Sequence, residues 1–242
     1  MENQVCYKDK YNHIISFGCM CSCALFLRKN GFRDGSYFFD WLTSDFFNNL
    51  LVVENDFADV LNAKFFVQEY SNFPHLVTHK KYKLIYTHVF DTKQTYLKQQ
   101  KRVEDYINKR ISNFKNALSD NTLLVYYCRN KDEQNKIENS VDAIKQFVKQ
   151  CGADIVFVFN NELSTSFPFK SFVIPYNNIH HPIGGEVSYP FEGEGTEQLI
   201  KWLDERYDQT KKSNNLNFKE KRNIFRFILN KFKKLKKVVL KF

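Results

Sequence analysis

Residues 121–128, Asn-Thr-Leu-Leu-Val-Tyr-Tyr-Cys, and 154–159, Asp-Ile-Val-Phe-Val-Phe, are two apolar runs joined by residues 140–150, Ser-Val-Asp-Ala-Ile-Lys-Gln-Phe-Val-Lys-Gln. Each run is too short for a helix and too continuously apolar for a half-exposed strand, so both read as strands buried on two faces. The intervening stretch carries apolar side chains at helical spacing and is stopped by Gly152. Strand, helix, strand in this order is a crossover, and crossovers imply parallel strands. Working outward, residues 13–17 (His-Ile-Ile-Ser-Phe) read as a strand ending at Gly18. Residues 21–29 follow as a helix stopped at Asn30-Gly31. Residues 44–63 predict a helix behind a Ser44 cap, 82–90 a strand, 97–118 a long polar helix, 171–176 a strand, and 196–207 a helix. The fold class is α/β, a layered sandwich with a mostly parallel sheet and a C-terminal basic amphipathic helix.

The charge is unevenly spread. The 242 residues hold 36 Lys and Arg against 27 Asp and Glu, a formal net charge of +9. Residues 211–242 contain twelve of the basic side chains and a single acid, Glu220, a net of +11, so residues 1–210 net −2. Two units follow: residues 1–210, an α/β domain expected to carry whatever catalysis the chain performs, and residues 211–242, a basic amphipathic tail. A body without basic excess argues against nucleic acid as a partner. In the tail, apolar residues recur at Phe225, Ile228, Leu229, Phe232, Leu235, Val239 and Phe242. Arg226, Lys233, Lys234, Lys237 and Lys241 take the other side. That pattern suits the interface of an anionic membrane surface. The start lacks the apolar core of a signal peptide, and no run approaches the roughly 18 apolar residues of a spanning helix. The expected location is therefore cytoplasmic, peripheral to the inner face of the membrane.

With 43% hydrophobic residues and 25 Phe, the body can bury a sizeable core. The sequence has no GxGxxG, GxxxxGK[ST], HExxH or GxSxG pattern, so it offers no support for nucleotide-cradling loops or for those hydrolase and metalloprotease signatures. Its six cysteines are expected to be free thiols in a reducing compartment. Three stand in Cys19-Met20-Cys21-Ser22-Cys23, at the carboxyl end of the first strand and the start of the helix. Helix N–H groups there favour a thiolate and so a nucleophile. A small buried residue facing the sheet is the bland alternative. Metal ligation is a third, disfavoured because no second cysteine pair with zinc spacing exists. No cofactor or metal is called for. A thiol nucleophile needs a base, and the candidates are His88 at the end of the 82–90 strand and His180-His181 in a late loop. Asn177-x-x-His180 weakly resembles the base-bearing loop of SGNH esterases.

The stretch Ser16-Phe17-Gly18-Cys19-Met20-Cys21-Ser22-Cys23-Ala24, then Leu27-Arg28 and Gly31, then Ser36-Tyr37-Phe38-Phe39-Asp40-Trp41 resembles a bacterial family labelled putative papain-like cysteine peptidases. Its members carry S-L-G-x-x-C-x-x-A, L-R-x-x-G-L and S-Y-P-F-D-W; here Phe17 replaces the Leu and Phe38 the Pro. Later likenesses are looser: His88-Val89-Phe90 matches a strand-end histidine and Tyr127-Cys128-Arg129 a strand with a basic end. The resemblance implies Cys21 as nucleophile, His88 as base and Asp40 as the orienting acid. The alternative for Asp40-Trp41 is a turn acid capping the following helix, with Trp41 anchoring the core. A papain-like fold would place the histidine in an antiparallel sheet, whereas residues 121–159 read as parallel. The reading that follows is a cysteine hydrolase or acyl-transfer enzyme at the membrane surface, acting on a peptide, acyl or glycan-linked substrate. The same resemblance suggests surface-polysaccharide biosynthesis. The alternative is a non-catalytic α/β module of a membrane-associated biosynthetic complex.

Overall fold

A computed structural model describes residues 5–68, 77–86, 88–91, 93–128, 130–163, 167–175, 191 and 193–215. In chain order the elements are β1 (His13–Ser16), α1 (Cys21–Lys29), a 3-10 turn (Phe38–Trp41), β2 (Leu42–Thr43), α2 (Phe46–Glu54), a second 3-10 turn (Ala63–Phe65), β3 (Phe66–Gln68), β4 (Val77–His79), β5 (Leu84–Tyr86) and α3 (Tyr96–Leu118). There follow β6 (Thr122–Cys128), α4 (Lys131–Glu138), α5 (Val141–Cys151), β7 (Asp154–Phe159), β8 (Ser171–Val173) and α6 (Glu194–Arg206).

The expected parallel sheet is present, with strand order β1-β6-β7-β8 and every described pairing parallel. All seven residues of β6 are buried, which is why its sequence shows no alternation. Ile14, Leu123, Val125, Tyr127, Val156 and Val158 face one side and pack with Cys23, Phe26 and Leu27 of α1 and Leu199 and Leu203 of α6. Ile15, Leu124, Tyr126, Ile155, Phe157 and Phe159 face the other, toward residues of α2, α3 and α5. Helices on both faces make this a layered α/β sandwich. Phe17 is the hub of the second core, with ring centroids 4.9 Å from Phe39, 5.6 Å from Phe147 and 6.3 Å from Phe114.

A second sheet, antiparallel and ordered β2-β5-β4-β3, was not anticipated. The chain therefore contains both a parallel and an antiparallel sheet. The 82–90 strand contracts to β5, leaving His88 in a bend beyond its end. The 44–63 helix ends at Glu54, and its cap is Asp45, whose carboxylate accepts from Asn48 N at 2.8 Å. Asp56, Phe57 and Asp59 then take positive φ and turn the chain without a glycine. The basic amphipathic helix expected in residues 211–242 lies outside the described residues from 216 onward. Residues 209–215 are helical and rest on the body: Lys211 Nζ donates to Asn12 O, Asn215 Nδ2 donates to Gly31 O, and Lys212 pairs with Asp204.

Candidate active site

In an open parallel sheet, side chains that meet ligands collect where strands end and helices begin. β1 enters such a place through a strained turn. Gly18 has φ +108° and Cys19, a residue with a Cβ, φ +62°, a conformation that costs on the order of 1–3 kcal/mol and persists only where neighbours impose it. Two neighbours do so. The buried Asn49 donates Nδ2–H to Phe17 O at 2.5 Å, and Ser44 N donates to Cys19 O at 3.3 Å. Both sit on the segment that follows the Phe-Asp-Trp turn, so the two motifs are locked to each other. The sequence reading missed Asn49. Its signal was a polar residue between Phe46 and Leu50, on the stripe of α2 that packs into the core.

The turn delivers Cys21 as the first residue of α1. Met20 precedes it in extended backbone with no side-chain cap, and no acid stands in the first turn, so neither a cap nor a carboxylate takes the helix-start N–H groups. Cys19 is buried on the opposite side and Cys23 Sγ lies 3.5 Å from Val125 O inside the core; Cys21 is the half-buried member of the three. The expectation of a depressed thiol pKa is reversed. Burial raises the Cys21 pKa and outweighs the favourable contact with its own backbone N–H. That direction favours the protonated thiol, so a nucleophilic role for Cys21 calls for a base to take its proton.

His88 is exposed and stands edge-on to the Trp41 indole, centroids 5.8 Å apart. Trp41 is half-buried, with the Arg28 and Arg33 guanidiniums each 5.7 Å from its ring. The Asp40 carboxylate, with none of its residue exposed, receives Arg33 Nη2 at 2.5 Å, Arg33 Nε at 3.1 Å and Tyr37 N at 2.8 Å. Burial pushes its pKa up, and Arg33 is the main influence holding it down. Asp40 thus caps its own turn and not the helix that follows. His88 meets the residue next to it. Among the described residues no hydrogen bond or ion pair joins Cys21 to His88 or to Asp40. Of the other histidines, His13 pairs with Asp34 and Asp120. His79 is buried, stacked on Tyr82 and bonded to Asp59 O, a packing role. His75, Arg129, Asn177, His180 and His181 lie outside the described residues. No group of His, Cys, Asp or Glu suited to a metal ion occurs among the described residues.

The described residues thus offer a half-buried thiol at an uncapped helix start behind a strained turn, and an exposed histidine set against Trp41. No curated protein and no solved structure matches the chain. Residues 12–162, which span β1, α1, the Phe-Asp-Trp turn, the antiparallel sheet and the β6–β7 crossover, match the family described as "Putative papain-like cysteine peptidase (DUF1796)", and the chain belongs to that family.

Proposed function

We propose that the protein is a cysteine-nucleophile hydrolase or acyl-transfer enzyme. The observation that carries this reading is Cys21 at the head of α1 behind the strained Gly18-Cys19 turn. In the reaction His88 takes the Cys21 proton, and the thiolate attacks a substrate carbonyl carbon. The N–H groups at the start of α1 receive the oxyanion. Collapse returns the proton to the leaving amine or alcohol and leaves a thioester, which water or a second nucleophile resolves. Asp40 acts through Arg33, fixing the Trp41 wall that His88 meets. Because burial raises the Cys21 pKa, the His88 proton transfer belongs to the attack itself and not to a resting ion pair.

The test is thiol selectivity. Burial raises the Cys151 thiol to about 11 and lifts Cys128 well beyond the usual range, Glu133 adding to the effect on Cys128. At pH 7, iodoacetamide is expected to label Cys21 at least tenfold faster than Cys151 or Cys128, read by peptide mass mapping. Equal rates, together with full function in Cys21→Ala, would sink the enzyme reading. The raised Cys21 thiol favours a second reading, a non-catalytic module of a biosynthetic complex, and the same experiment separates the two.

We further propose that the basic tail holds this chemistry at an anionic membrane on the cytoplasmic side, with a lipid-linked glycan precursor in surface-polysaccharide synthesis as the fitting substrate. Its support is the periodicity of residues 225–242 and the anchoring of residues 211–215 to the body. No helix among the described residues is long and apolar enough to cross a membrane. Full-length protein should float with vesicles containing anionic lipid and a chain ending at residue 215 should not; equal flotation removes the tether.

A further inference from the structure

The long helix α3 carries Arg102, Tyr106 and Arg110 four residues apart, so the three side chains form one stripe. This stripe faces the segment that bears Arg33, Asp40 and Trp41. Asn113 Nδ2 donates to Ser36 O at 2.9 Å and Phe114 packs on Phe39 at 5.4 Å, closing one end of the seam. Arg102 Nη2 donates to Val89 O at 2.9 Å, which ties the other end to the residue after His88. The Tyr106 phenol lies in the field of Arg110, Arg33, Arg102 and Asp40 together. Arg110 sits 3.5 Å above the Tyr106 ring and is opposed by the like charge of Arg33.

The charge here is unbalanced. Asp40 is the carboxylate that acts on this group, and it is already bonded to Arg33. Gathering guanidiniums around one carboxylate costs mutual repulsion and desolvation that a purely structural site would avoid by supplying further acids. Donors are also left over. Arg110 Nε is buried with no hydrogen-bond partner among the described residues. Arg33 uses Nε and Nη2 on Asp40 and Ser36, which leaves its Nη1 group. Arg110 gives Nη1 to Tyr106 O at 3.5 Å, and Arg102 gives Nη2 to Gln99 Oε1 at 2.6 Å as well as to Val89 O, which leaves Arg110 Nη2 and Arg102 Nε and Nη1 beside Arg33 Nη1. Planar guanidiniums with such remaining donors match tetrahedral oxyanions, and a dianion answers several of them at once.

We propose that the seam between the Arg33–Trp41 segment and α3 is a binding site for a phosphate-type oxyanion, held by Arg33, Arg102 and Arg110 with the Trp41 and Tyr106 rings as walls. Because the seam ends beside His88, it names a phosphorylated substrate class for the enzyme reading. It rests on that reading for its catalytic meaning and not for its existence.

The probe is inorganic pyrophosphate, added at constant ionic strength to full-length protein carrying Trp202→Phe, so that Trp41 is the remaining tryptophan. A saturable change in Trp41 emission is expected. Arg102→Gln and Arg110→Gln should each weaken it about tenfold or more, while Lys149→Gln on the remote helix α5 leaves it unchanged. Arg102 is exposed and its replacement should fold even if that of Arg110 does not. Vesicles of phosphatidic acid that displace pyrophosphate would mark the phosphate as a lipid headgroup; failure to displace would mark it as soluble, and both results require the site. Absence of a saturable signal, an equal response to chloride, or wild-type affinity in a folded Arg102→Gln protein overturns the proposal. Cys21→Ala should bind pyrophosphate as the parent does, so loss of the catalytic reading and loss of the anion site are told apart.

Discussion

Replacing Gly18 by alanine is expected to destabilise the protein by roughly 2–5 kcal/mol and to abolish selective labelling of Cys21. Two costs add. At φ +108° a side chain meets the backbone of its own residue, a penalty of about 1–2 kcal/mol. The new Cβ would also stand 2.5 Å from Asn49 Nδ2 and 2.9 Å from Ser44 Oγ. Asn49 cannot retreat cheaply, because its amide is buried and bonded to Phe17 O; breaking that bond or overpacking the turn costs about 1–3 kcal/mol more. Gly152 is the internal control. Its φ is +73°, but an added Cβ meets nothing nearer than Leu118 O at 3.8 Å, so Gly152→Ala should lose only about 1–2 kcal/mol. Urea unfolding of the two variants measures the difference. If Gly18→Ala costs no more than Gly152→Ala, the Asn49 and Ser44 clamp does not set the turn, and the proposed oxyanion role of the N–H groups at the head of α1 loses its support.

How far the sequence announced this site depends on which physical signal each part leaves. β6, α5 and β7 were legible because strands buried on both faces become continuous apolar runs and α5 ends at a left-handed glycine. The antiparallel sheet was not, because β2 to β5 are two or three residues long and too short for alternation to show. α2 was read too long because Asp56, Phe57 and Asp59 reverse the chain in backbone conformations that their residue types do not advertise. Cys21 was singled out by motif and by a strand–helix junction, and the structure sets it at the head of α1. The direction of its pKa was misread, since helix-start N–H groups are a local feature while desolvation is set by what packs around α1. Asp40 was likewise recognised as a motif acid, but its partner Arg33, seven residues earlier, has no spacing rule that would announce it.

Removing Arg33 should be strongly destabilising, and the loss should depend on pH in a defined direction. With Arg33→Met the Asp40 carboxylate keeps the Tyr37 N–H and the more distant Arg110 but loses its direct ion pair in a fully buried place. Uncompensated buried charges of this kind cost about 3–5 kcal/mol. Burial already raises the Asp40 pKa in the native protein, and Arg33 is the largest influence opposing that rise, so the substitution pushes it higher still. An acid whose folded pKa lies above its unfolded value of about 3.9 contributes stability that is complete below that value and is lost as pH rises through the folded pKa. The variant should therefore approach the parent near pH 4 and fall furthest behind above neutrality, where the parent keeps its pair and the variant holds a bare carboxylate. Adding Asp40→Leu to Arg33→Met removes the stranded charge and should restore most of the loss at pH 7.5. Urea midpoints at pH 4.5 and 7.5 decide it. A loss that is equal at both pH values, or one that Asp40→Leu does not relieve, would mean that Arg33 acts through its packing on Trp41 and not through the ion pair. The wall that His88 meets would then be held by stacking alone.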